Sequence, residues 1–124
     1  PRLREVAPDM TQALRPARDG VDRLDADRLL AALGGTYLMI ALRNCRDSLA
    51  LNALLDETWE RTGQVLDVYV PRNLDLVRAE PGNEIARQRL DAGLKMAELR
   101  FGAEYAAAMR RARDGDGRRQ VSPT

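Results

Sequence analysis

Apolar residues recur with a period near 3.6 in three stretches of this 124-residue chain. The first stretch opens near Asp22 or Asp25, either of which offers a carboxylate to the free amides of a helix start. It runs through Leu29, Leu30 and Leu33 to Gly34 and Gly35. The two glycines either end that helix or are carried inside a longer one at roughly 1 kcal/mol each, and Thr36 can cap a fresh start. In the second stretch Leu38, Leu42, Cys45, Leu49, Asn52, Leu55 and Trp59 follow at intervals of four, three, four, three, three and four. That spacing predicts the seam of one packed helix, with Arg43, Asp47, Glu57 and Arg61 off the line. This helix is expected to stop at Gly63 or to continue through Leu66 and Val70 to Pro71. QVLDVYV (64–70) has the β-branched content of a strand, but no second strand is on offer to pair with it, so helix is predicted there.

Asn83 can cap the third helix, which is expected to reach about Arg113. It carries two apolar stripes, one through Leu90, Leu94, Phe101 and Tyr105 and another through Met96, Leu99 and Met109. A surface helix needs one apolar face, so two stripes predict cover from two sides. The expectation is therefore an all-α protein, a small helical bundle of about three main helices completed by homodimerisation. Residues 1–21, with Pro1, Pro8, Pro16 and Gly20, are expected to form a loosely ordered arm with a short helical possibility around Asp9 to Leu14. Residues 22–113 form the single helical domain, and 114–124 is expected to be a disordered tail.

Composition narrows the chemistry. The chain is 44% hydrophobic and 31% charged with a net charge of +1, an ordinary globular balance that makes nucleic acid an unlikely partner. Arginine supplies the basic charge almost alone, with Lys95 the single lysine. Histidine is absent, which removes the commonest general base and metal ligand together. Cys45 is the only cysteine, so no internal disulfide forms, and its place on the apolar seam suits a structural thiol. No basic-then-apolar segment opens the chain, and a cytoplasmic protein with no cofactor is expected.

The longest charge-free run is LLAALGGTYLMIAL (29–42). It is shorter than the 18 or so residues of a membrane span. Its adjacent glycines lack the spacing and the following lysine of a phosphate loop. A core segment is expected. Glu57 and Glu60 stand one turn apart, as two carboxylates sharing Mg²⁺ would. The pair resembles the ExxE motif of all-α nucleotide pyrophosphohydrolases, which implies a second acidic pair. Glu80, Glu84 and Asp91 do not reproduce its spacing. Residues 16–33 are similar to the opening helix of all-α chorismate mutases, which implies a substrate-binding arginine after the leucines. Gly34 stands at that place.

Asn52, polar in an apolar seam, either pairs with its symmetry mate in a dimer or reaches water. Trp59 and Phe101 fall on core stripes, while Tyr69, just before Pro71, suits an exposed contact. Surplus apolar helical surface with so little catalytic vocabulary points to a non-enzymatic regulatory protein. It would bind a protein partner, for example a bacterial transcription regulator that it antagonises. The expected dimer or partner interface is Leu38, Leu42, Cys45, Leu49, Asn52, Leu55, Trp59, Tyr69, Met96, Leu99 and Met109. The alternative is an all-α enzyme with a site of Glu57, Glu60 and arginines such as Arg28 or Arg61 at a dimer interface.

Overall fold

A computed structural model describes residues 2–44 and 49–115. Among them all the regular structure is helix, without a strand. A 3₁₀ turn at Leu3–Glu5 leads into α1 (Val6–Leu14), followed by α2 (Ala26–Arg43), α3 (Leu49–Ala79), α4 (Glu84–Phe101) and α5 (Ala103–Asp114). Five helices replace the expected three. Cys45 and the tail beyond residue 115 lie outside the described residues, as does the side chain of Leu49.

The supposed arm is the first correction. Val6, Ala7, Met10, Ala13 and Leu14 recur at helical spacing and are all buried, so α1 is part of the core, packed on α2, α3 and α4. Pro8 does not prevent this. It is the third residue of the helix, where the missing N–H would have had no intrahelical acceptor. At the other end of α1, buried Asn73 of α3 donates through Nδ2 to the Leu14 carbonyl at 2.9 Å and to the Tyr69 carbonyl at 2.9 Å. It thereby satisfies a carbonyl that the end of α1 leaves open.

The seam read as one helix over 38–59 is two. Leu38 and Leu42 belong to α2, and Asn52, Leu55 and Trp59 to α3. Gly34 and Gly35 are carried inside α2, whose N-cap Asp25 accepts from the Arg28 amide at 3.0 Å. The expectation of helix over 64–70 holds, and α3 passes Gly63 and even Pro71 before ending at Ala79. Pro71 removes the hydrogen bond that its own nitrogen would have made and crowds the carbonyl four residues earlier, yet the helix continues for two more turns.

The third helix is broken once, at Gly102, whose φ of 105° lies in the region that only glycine enters freely. The chain reverses there. Arg113 reaches Asp91 at 2.6 Å and Arg110 reaches Glu98 at 3.1 Å, although the first pair is 22 residues apart. A continuous helix would separate Asp91 and Arg113 by about 33 Å. With α5 folded back on α4, and with α1, α2 and α3 on its other sides, both apolar stripes find cover inside one chain. The two stripes therefore no longer require a second subunit.

Candidate docking surface

α2 lies against α1, α3 and α4 along one side only. Ala32, Gly35, Thr36 and Met39 are its buried residues. Gly35 lets α1 lie close, because a Cβ there would stand 3.1 Å from Val6 Cγ2 and Val6 would have to give by a few tenths of an ångström. Thr36 hides its hydroxyl by donating to the Ala32 carbonyl at 2.8 Å. Met39 is 0% exposed and accepts through sulfur from the Thr62 hydroxyl at 3.6 Å.

The opposite side of α2 is apolar as well. Leu30, Gly34, Tyr37 and Ala41 recur at intervals of four, three and four, all exposed, with half-buried Leu33 and Leu38 flanking them. Leu30 is 68% and Tyr37 56% exposed. A Cβ on Gly34 would meet nothing within 4 Å, so the middle of this face is open. Beside it Leu29, Leu30 and Leu33 of α2 and Ala92 of α4 enclose an open hollow of about 240 Å³. Gln88, Asp91 and Lys95 form its polar rim.

The approach to α2 is fastened. Arg89 of α4, its side chain 6% exposed, donates through both terminal nitrogens to Asp22 at 2.5 and 3.0 Å. The same guanidinium donates to the Arg23 carbonyl at 3.0 Å. Hydrogen bonding from Arg89 holds the Asp22 carboxyl below the usual aspartate range, against the opposing effect of its partial burial.

The residues expected to form an interface are scattered. Leu55 and Met96 are at most 1% exposed and belong to the core, where no partner reaches them. Leu42, Trp59, Tyr69 and Met109 are half-buried and pack on that core. Leu38 and Leu99 are half-buried too. Asn52 Oδ1 is buried and has no hydrogen-bond partner among the described residues. Trp59 is not bare: the guanidinium carbons of Arg43 and Arg100 lie 3.7 and 4.2 Å from its ring centroid. Arg100 also donates to the Trp59 carbonyl at 2.8 Å, in space left by Gly63. Desolvation, followed by the charge of Arg43, lowers the pKa of Arg100. Tyr69 has the Arg72 guanidinium 5.2 Å from its ring centroid.

Glu57 faces Arg61 at 3.7 Å across one turn, with both side chains more than half exposed. Arg28 instead pairs with Asp25 at 3.3 Å, at the start of α2. No group of three or more His, Cys, Asp or Glu among the described residues is placed to hold a metal ion. No described helix is long and apolar enough to cross a membrane. Leu30, Gly34 and Tyr37 were missed as surface residues, although the signal was present. Fourteen uncharged positions exceed what one buried helix face uses. No known protein family, curated protein or solved structure matches the chain.

Proposed function

We propose that this chain is a non-enzymatic regulatory protein that binds another protein through the outer face of α2. The observation that carries this reading is the exposed, charge-free row Leu30, Gly34, Tyr37 and Ala41. Water-facing helix sides ordinarily carry charge, and contiguous apolar patches on a surface mark interaction sites. The spacing is that of a helix-pairing seam, and the missing Cβ at Gly34 admits a second helix closely. A helix partner also agrees with antagonism of a bacterial transcription regulator, by occupying the surface through which that regulator assembles or activates. The test is affinity capture from cells, comparing the wild type with the double variant Leu30→Glu, Tyr37→Glu. A protein retained by the wild type and lost by the variant supports the reading. No specific capture, or equal capture by both, overturns it.

The same face suits a second copy of the chain. Tyr37 stands two turns, about 10 Å, from Leu30 and the hollow beside it. In an antiparallel pair centred near Gly34, each tyrosine would enter the other chain's hollow and bring its hydroxyl to the rim of Gln88, Asp91 and Lys95. Two such faces bury on the order of 1,000 Å² in total, the low end for a specific interface. Sedimentation should therefore show a dimer that dissociates in the micromolar range and is lost in the double variant. A 13.8 kDa monomer at the highest concentrations would exclude the dimer.

A further inference from the structure

We propose that the hollow between the end of α1, the 15–25 connection and the start of α2 binds a small ligand carrying two or more phosphate groups. The inference rests on different residues from the docking face. The hollow measures about 820 Å³ and opens to solvent, with Arg15, Arg18, Arg23 and Arg28 among its walls. Small-molecule sites commonly fall in this range of volume.

Its charge is one-sided. Asp22 is the one carboxylate in the lining, and Arg89 behind it already answers that charge through two hydrogen bonds. Arg28 is shared between Asp25 and the Gln12 amide oxygen. Arg15, Arg18 and Arg23 form no ion pair within the described residues. Four guanidiniums thus gather at one hollow in a chain whose net charge is only +1.

Gathering like charges is unfavourable unless an anion joins them. The connection is nonetheless held in place, by the Arg89 bonds to Asp22 and to the Arg23 carbonyl. Gly20, with φ at 72°, makes the turn that places Arg18 and Arg23 around one opening. The backbone that carries Arg18 and Arg23 is therefore placed before any ligand arrives, so that binding orders their side chains but not the connection itself. A guanidinium fork matches two phosphate oxygens at once, and several forks favour a ligand with several phosphate groups over a single small anion. Val21, 84% exposed, adds an apolar lip where an organic group attached to the phosphates would rest.

The ligand chemistry has two sources, inorganic polyphosphate and a nucleotide, and calorimetric titrations with inorganic tripolyphosphate and with a nucleoside triphosphate distinguish them. Saturable binding of either probe is expected at moderate salt. Affinity should fall at least about tenfold in the double variant Arg18→Gln, Arg23→Gln, consistent with the loss of charge-assisted hydrogen bonds. The matched variant Arg72→Gln, Arg78→Gln on α3 should bind as the wild type does. Both substituted arginines of the hollow are exposed, and an unchanged melting temperature verifies folding. The proposal falls if neither probe saturates in the low millimolar range, or if the double variant binds both undiminished. It also falls if a single strand of roughly 12 nucleotides binds a hundredfold tighter than the triphosphate, because the arginines would then belong to a nucleic-acid surface.

Discussion

Along the outer side of α3 the side chains that meet water include Asp56, Glu57, Glu60, Arg61, Asp67, Arg72, Asp75 and Arg78, and Val68 is the exposed large apolar residue among them. Along the outer side of α2 they include Leu30, Ala31, Gly34, Tyr37 and Ala41, and its exposed charges, Asp27, Arg28 and Arg43, stand at its two ends. Both helices bury an apolar side in the same core. The difference therefore lies in the outer sides alone. α3 is finished as a solvated surface, with charges on its exposed turns. α2 keeps an uncharged middle, where the row facing outward repeats the spacing and chemistry of the row facing inward, which is the feature the proposed docking role rests on.

The comparison supposes that α2 is firmly seated by its inner side, and the largest expected effects test that. Met39→Ala should destabilise the protein by about 3 kcal/mol, since it opens a cavity at a fully buried position. Denaturant unfolding that moved by less than about 1 kcal/mol would mean that the inner side is not the anchored one.

Asp22→Asn should also cost about 3 kcal/mol at neutral pH, because it leaves the buried Arg89 without its counter-charge. That figure is the low end for a buried pair, since the Asp22 side chain is 30% exposed. Asp22 titrates lower in the folded chain than its ordinary 3.8, so the unfolded chain binds the extra proton first as acid is added. The stabilisation it contributes is complete above the ordinary value and fades as pH falls through the folded value. Stability measured from pH 7 down to pH 3 should consequently decline less steeply in Asp22→Asn than in the wild type.

A smaller effect separates the two adjacent glycines. Gly34→Ala places its methyl in open space and removes a glycine penalty, so it should stabilise the fold by roughly 0.5–1 kcal/mol. Gly35→Ala gains the same backbone term but crowds Val6 at 3.1 Å, and should leave the protein at least about 1 kcal/mol less stable than Gly34→Ala. Thermal melts that ranked the two equally would show that α1 does not press on α2 as described.

The smallest folding effects sharpen the comparison itself. Leu30→Glu and Val68→Glu both add a charge to an exposed position and should each change folding stability by less than about 0.5 kcal/mol. Only Leu30→Glu should abolish partner capture. Loss in both variants would show that α3 contributes to the same surface.

Much of the architecture is legible without coordinates. Asn83 is legible as an N-cap and the first cap is narrowed to Asp22 or Asp25; in the fold Asn83 and Asp25 each accept the amide three residues on. The all-helical class and the helix over 64–70 follow from spacing and from the lack of a pairing strand. The N-terminal helix was also written in the chain, in Leu3, Val6, Met10 and Leu14, but Pro8 and Pro16 read as breakers. A proline in the first turn breaks nothing. The buried polar residue was sought at Asn52, whereas the fully buried asparagine is Asn73, beside the end of a helix that lies 59 residues earlier.

What the sequence by itself determined is which residues avoid water and at what period, because these are properties of single side chains and local geometry. It therefore specified helices, caps and the charge-free segment 29–42. Which of two apolar sides is buried is not a local property. It depends on which neighbour arrives, and here α1, α4 and Gly102 decide. Gly102 turns α5 back to cover α4, and Val6 settles against Gly35 rather than Gly34. Met96 is thereby enclosed and Tyr37 left in water, although both carry apolar side chains on helices of similar pattern. Only the tertiary structure assigns them, since burial is a relation between surfaces that the chain brings together from distant positions.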